Sequence, residues 1–133
     1  MIIIDAGHGG FDPGGGSNPY FKEKELTKKI SDYQKKRFDE LGIPSILVRL
    51  SDETLNPIDR TKRIAENGAK ESDILISNHI NNGGSKGAEV IYSVKSDSPN
   101  YEEARRLIKV LNVFLPVPSE AIPDDSILRE FIG

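Results

Sequence analysis

Cysteine is absent from this chain, histidine occurs twice, and the longest apolar run near its start is the four-residue stretch Met1–Ile4. Without cysteine the fold cannot depend on disulfides, and any metal site has to be built from His, Asp and Glu. Met1–Ile4 is far too short for a signal peptide or a membrane span. Action outside the cytoplasm is therefore expected to need lysis, or excision from a longer precursor, for delivery. Excess positive charge is also missing. The net charge is −3 and the pI about 5.4, whereas phosphate backbones are bound by clustered Lys and Arg. No nucleic-acid or membrane partner is expected, and the single basic run, Lys35-Lys36-Arg37, reads as a solvated helix face.

What is present is an ordinary globular composition. A chain of 133 residues, 36% hydrophobic and 29% charged, fits one domain over residues 1–133 with a hydrophobic core of its own. Met1–Ile4 reads as a buried strand ending at Asp5, followed by a loop in which six of the ten residues from Gly7 to Gly16 are glycine. From Glu23 to Leu41 the apolar residues Leu26, Ile30, Tyr33, Phe38 and Leu41 recur at helical spacing, and Gly42 is placed to end the helix. Ile43–Leu50 reads as a second strand. Asn56-Pro57 supplies an N-cap and a first-turn proline, predicting a second helix to about Ala69.

Residues 73–78 and 88–94 read as the third and fourth strands, and Ser98-Pro99 opens a third helix with Tyr101, Ala104, Leu107, Ile108 and Leu111 on one face. Beyond Val113 the prolines at 116, 118 and 123 break any long element, and Ile127–Ile132 fits strand or helix equally well. Strands alternating with helices predict an α/β fold, a mostly parallel sheet flanked by helices. In such sheets ligands bind beyond the carboxyl ends of the strands. His8 and His79 both fall there.

A histidine beside a strand end is more often structural than a ligand. Its position here raises the ligand reading, because both histidines converge at one sheet edge and one lies in a loop that lets backbone approach closely. A phosphate cradle is the competing use of such a loop, but the spacing matches neither nucleotide-binding glycine pattern and no acidic residue stands at the ribose position.

At Asp5-Ala-Gly-His-Gly-Gly-Phe-Asp-Pro-Gly14 the chain resembles the zinc-dependent N-acetylmuramoyl-L-alanine amidases of the type-3 family. The likeness continues through Glu23-Lys-Glu-Leu-Thr27, Val48-Arg-Leu-Ser-Asp52, Ser77-Asn-His-Ile-Asn81 and Gly87-Ala-Glu-Val-Ile-Tyr92, in order. It is clear over 1–94 and weak over 113–133. The resemblance implies a hydrolase-type α/β fold and a zinc ion held by His8, Glu23 and His79, with peptidoglycan as the partner and the bacterial cell wall as the place of action. Glu25 is the alternative carboxylate. Asp12 is placed either to orient His8 through its second ring nitrogen or merely to make a loop turn. Glu89 falls in the family's Gly-x-Glu pattern, where a contact to metal ligand or substrate competes with a plain strand position. Two arginines, Arg60 and Arg63, compete for one family position, and Asn78 stands where the family usually has an apolar residue.

The family's catalytic glutamate has its nearest match at Glu130 in Ile127-Leu-Arg-Glu-Phe-Ile-Gly133, with Arg129 and Phe131 poorly matched. Glu120 and Glu89 are the alternatives. The activity implied is zinc-assisted hydrolysis of the amide between N-acetylmuramic acid and L-alanine, as in an autolysin or endolysin. The alternative is a zinc-containing peptidoglycan-recognition domain that has lost its general base.

Overall fold

Strand β1 (Ile2–Ala6) lies at the centre of a three-stranded parallel sheet, with β2 (Ser45–Leu47) on one side and β3 (Ile74–Asn78) on the other. The computed structural model describes residues 1–70, 72–80, 89–93 and 120–124. These fall into two units, Met1–Asn82 and Gly83–Gly133. In the first, Ile3, Ile4 and Ala6 of β1 are buried together with Val48, as a strand covered on both faces requires. Strand β2 is shorter than the apolar run around it. Pro44 lacks the N–H that would extend the ladder forward, and at the far end the Arg49 side chain turns inward to bond the carbonyls of Ala6, Lys24 and Ser51.

Helix α1 (Glu23–Glu40) runs over the expected residues, but its expected apolar face is not the one that faces the sheet. Its buried residues are Glu23, Lys24, Thr27 and Ser31, whereas Ile30, Tyr33 and Leu41 are exposed. Short polar side chains serve here because they bond directly to the strand ends: Thr27 Oγ1 donates to Gly7 O at 2.8 Å, and Ser31 Oγ accepts from Asn78 Nδ2 at 2.9 Å. The helix start is capped by the glycine loop instead of by its own N-cap residue. Glu23 N donates to Ser17 Oγ and Lys24 N to Pro13 O, which satisfies two of the donors that a helix start leaves free.

Asn56 caps α2 (Pro57–Glu66) by accepting from Asp59 N at 2.7 Å. The helix stops three residues short of Ala69 because Gly68, at φ +77°, takes the left-handed conformation. Gly68 N then bonds Ala65 O and Ala69 N bonds Ile64 O, the paired closure typical of glycine-terminated helices. Gly42 closes α1 with the same pair of bonds, to Asp39 O from Gly42 and to Phe38 O from Ile43.

In the second unit, β4 (Glu89–Ser93) pairs in parallel with β5 (Glu120–Asp124), Glu89 opposite Glu120 and Tyr92 opposite Pro123. The sequence predicts β4, but not β5, whose Pro123 reads as a breaker. A proline is tolerated in a strand wherever its missing N–H faces away from the partner. The third helix expected from Ser98 lies outside the described residues, as does Ile127–Ile132. Among the described residues no helix is long and apolar enough to cross a membrane.

Candidate metal centre

Strand register brings the two histidines together. Ala6 of β1 pairs with Asn78 of β3 and Gly7 N donates to Asn78 O, so His8 and His79 leave parallel neighbours at the same carboxyl edge. Their rings sit edge to face, with centroids 5.1 Å apart. Glu23, in the first turn of α1, is 2% exposed and reaches the same point. Its Oε2 accepts from Gly16 N at 2.8 Å and its Oε1 from Ile80 N at 2.9 Å.

The same Oε1 lies 3.1 Å from His8 Nε2 and 3.3 Å from His79 Nδ1. His8 Nδ1 bonds Asp12 Oδ2 at 2.7 Å, and Asp12 is itself fixed by Gly14 N at its other oxygen. His8 Nε2 thus faces Glu23 Oε1 while its Nδ1 faces Asp12, and a cation placed between Nε2 and Oε1 would be shared by the ring nitrogen and the carboxylate. Tetrahedral zinc with bonds of about 2.0–2.1 Å spaces its ligand atoms about 3.3 Å apart. The three donor atoms of His8, Glu23 and His79, all within 4.8 Å of one another, therefore fit that ion.

Electrostatics favour the ligand form of His79. Burial, reinforced by the neighbouring His8, pushes His79 below the ordinary histidine value, against the raising pull of Glu23. A metal needs the neutral ring. Burial would raise Asp12, but bonds from His8 and Gly14 N outweigh it and hold the carboxyl below its usual value, so it stays ionised as the acceptor that orients His8.

Around the donors lies a framework of ions, buried at Asp5, Lys24 and Arg60. Arg60, 4% exposed, pairs with Asp5 and donates to Ala6 O at 2.9 Å and His8 O at 2.6 Å. Asp5 also accepts from Ser77 Oγ. Lys24 Nζ bonds Gly10 O and Asp52 Oδ2 while Asp52 Oδ1 accepts from Gly10 N, clamping the loop from both sides. Gly14 shows how tight the packing is: at φ +92°, a Cβ there would stand 2.5 Å from Glu23 Oε2 and 2.8 Å from His8 Cδ2.

The structure thus brings His8, Glu23 and His79 together, and of the two readings of Asp12 it shows the contact to His8 Nδ1. Glu25 is exposed and takes no part. Of the two arginines, Arg60 is the one joined to the loop, whereas Arg63 pairs with Glu53 and donates to Val48 O. Asn78 has a definite role that sequence reasoning missed, donating to Ser31 Oγ and, at 2.7 Å, to Gln34 Oε1. Arg49 was missed as well. Its signals are an arginine at the end of an otherwise apolar strand pattern and its place in the stretch Val48-Arg-Leu-Ser-Asp52 that carries the resemblance. Glu130 lies outside the described residues, and of Glu89 and Glu120 only the backbone positions in β4 and β5 are described.

A family model described as N-acetylmuramoyl-L-alanine amidase matches residues 2–116. The sporulation-specific N-acetylmuramoyl-L-alanine amidase of Bacillus subtilis is 38% identical over 97 residues, covering 66% of this chain and 34% of that protein. An endolysin of Bacillus phage SPP1 is 35% identical over 103 residues, covering 74% of this chain and 35% of that protein. The chain spans about a third to a half of the length of these and a further Bacillus subtilis relative. Among solved structures, an N-acetylmuramoyl-L-alanine amidase of Nostoc punctiforme superposes with a TM-score of 0.77 at 20% identity, over 94% of this chain and 69% of that one. That likeness is one of fold.

Proposed function

The chain belongs to the N-acetylmuramoyl-L-alanine amidase family, and from that premise we propose that it is a peptidoglycan hydrolase with one zinc held by His8, Glu23 and His79. It acts at the bacterial cell wall on the amide joining N-acetylmuramic acid to the L-alanine of the stem peptide. The observation that carries this reading is the facing of His8 Nε2 and Glu23 Oε1 at 3.1 Å with His8 Nδ1 turned to Asp12.

When bound, zinc supplies positive charge that polarises the scissile carbonyl and eases deprotonation of water. The chain's own residues do the rest. Asp12 fixes the His8 tautomer so that Nε2 stays a donor. Gly16 N and Ile80 N hold the Glu23 carboxylate in one orientation, and the low proton affinity of His79 keeps its ring neutral near pH 7. Glu130 is the proposed general base. It takes a proton from the attacking water and passes it to the leaving amine. Support for Glu130 is its place in the family pattern, with the apolar Ile127, Leu128 and Ile132 around it.

Digestion of soluble muropeptide, with products identified by mass, tests the reaction. The expected products are a lactyl-bearing glycan and a peptide with a free L-alanine amino terminus. Glu130→Gln should slow their release by about 10²–10⁴-fold with zinc content unchanged. A parent chain that holds zinc and binds muropeptide without cleaving it favours a recognition domain instead, and an equally fast Glu130→Gln variant removes Glu130 as the base.

A further inference from the structure

His8 is the one non-glycine residue among those described whose φ is positive, at +64°. Residues with a Cβ adopt that left-handed conformation reluctantly, and it persists where surrounding groups over-determine it. Arg60 is the group that does so here. One arm of its guanidinium donates to His8 O at 2.6 Å and the other to Ala6 O at 2.9 Å, the latter also meeting Asp5. Because the guanidinium is planar and its donors form a fixed fork, the two carbonyls are held at a set spacing by one rigid body. The chain must bend sharply between them, and the bend is what places residue 8 in the left-handed region with its ring toward Asp12 and Glu23. Arg60 is anchored in turn by Asp5, whose second oxygen accepts from Ser77 Oγ, two residues before His79.

We propose that Arg60 is a positioning residue that holds His8 in its ligand conformation through the His8 carbonyl, touching no donor atom itself. The proposal rests on the zinc reading given above. The bland alternative is that Arg60 only neutralises the buried Asp5 carboxylate. A lysine would do that as well, but its ammonium donates from a single atom and lacks the rigid planar fork that sets the spacing of two carbonyls.

Arg60→Lys therefore separates the two roles. Zinc affinity is read by competition with a chromophoric chelator, and coordination geometry by the visible spectrum of the cobalt-substituted protein. Arg63→Lys serves as the control. The expected result is a folded Arg60→Lys protein whose zinc affinity falls about 10–100-fold, the usual effect of losing a group that orients a ligand, with a changed cobalt spectrum. Arg63→Lys keeps parental values. Parental affinity and spectrum in Arg60→Lys overturn the proposal.

A second measurement needs no metal. Glycine takes positive φ freely, so in a His8→Gly background Arg60→Lys should lower the apo-protein melting temperature by less than it does in the parent. Should Arg60→Lys fail to fold alone, adding His8→Gly should restore folding. Equal losses in the two backgrounds, or no restored folding, overturn the proposal. A parent that binds no zinc refutes the zinc reading, and the apo comparison still decides the coupling between Arg60 and residue 8.

Discussion

Replacing Gly14 by alanine perturbs the metal centre without touching a donor atom, and its cost can be worked from the structure. At φ +92° an L-residue pays roughly 1–2 kcal/mol for the left-handed backbone. The added methyl would also stand 2.5 Å from Glu23 Oε2 and 2.6 Å from Glu23 Cβ. Glu23 has little room to give way, because Gly16 N and Ile80 N hold both of its oxygens. Overpacking of this kind costs about 1–3 kcal/mol, so the total is about 2–5 kcal/mol, a large share of the roughly 5–15 kcal/mol that stabilises a domain. Two other glycines separate the contributions. Gly42, at φ +70°, has open space around the added methyl, so Gly42→Ala should show the backbone cost alone. Gly15 has open space and no positive φ, so Gly15→Ala should be neutral or gain up to about 1 kcal/mol. Urea unfolding gives the three stabilities, and zinc competition should show a loss of at least about tenfold for Gly14→Ala only. If Gly14→Ala is no less stable than Gly42→Ala and keeps parental zinc affinity, the close packing of loop, Glu23 and His8 is refuted.

Two further outcomes follow from the polar framework. Asn78→Leu leaves the fully buried Ser31 Oγ without its donor and should cost about 1–3 kcal/mol by urea unfolding. Because removing both partners is far milder than removing one, Asn78→Leu with Ser31→Ala should recover part of that loss, and no recovery would count against the pairing. On acidification, Asp52 is held below its usual 3.8 chiefly by its bond from Lys24, and Glu53 below 4.5 chiefly by its bond from Arg63. Both are depressed in the folded state, so their contribution is complete above those values and is lost as pH falls through the lower folded ones. Stability should fall below about pH 4.5, and Asp52→Asn should flatten the fall. An unchanged pH profile in that variant would show that the Lys24–Asp52 clamp contributes nothing.

The convergence of the two histidines was legible in the sequence because strand ends can be read from apolar runs. Met1–Ile4 and Ile74–Ile76 mark two parallel strands, and residues just beyond them must share an edge, which places His8 beside His79. Glu23 was legible only through the family pattern. Its position in the first turn looks like any carboxylate stabilising a helix start, and nothing local says that it is buried. The buried face of α1 was misread for a related reason. Periodicity locates apolar residues, whereas the helix meets the strand ends through Thr27, Ser31 and Lys24, whose bonds to Gly7, Asn78 and Gly10 span 14 to 47 residues of chain. Arg49 escaped, and Arg60 could not be told from Arg63, for the same cause: a buried guanidinium is defined by carbonyls that only the folded chain assembles. Pro123 hid β5, since a proline reads as a breaker in the sequence although a strand position that needs no N–H tolerates it.

The most direct test of the account is the zinc content of the purified, metal-reconstituted chain beside its His8→Ala, Glu23→Gln and His79→Ala variants, measured by plasma emission after dialysis against a weak chelator, with circular dichroism to show that each is folded. One zinc per parent chain, and little or none in each folded variant, is the predicted result. A folded parent without zinc, or His8→Ala and His79→Ala proteins that still carry one zinc per chain, would contradict it.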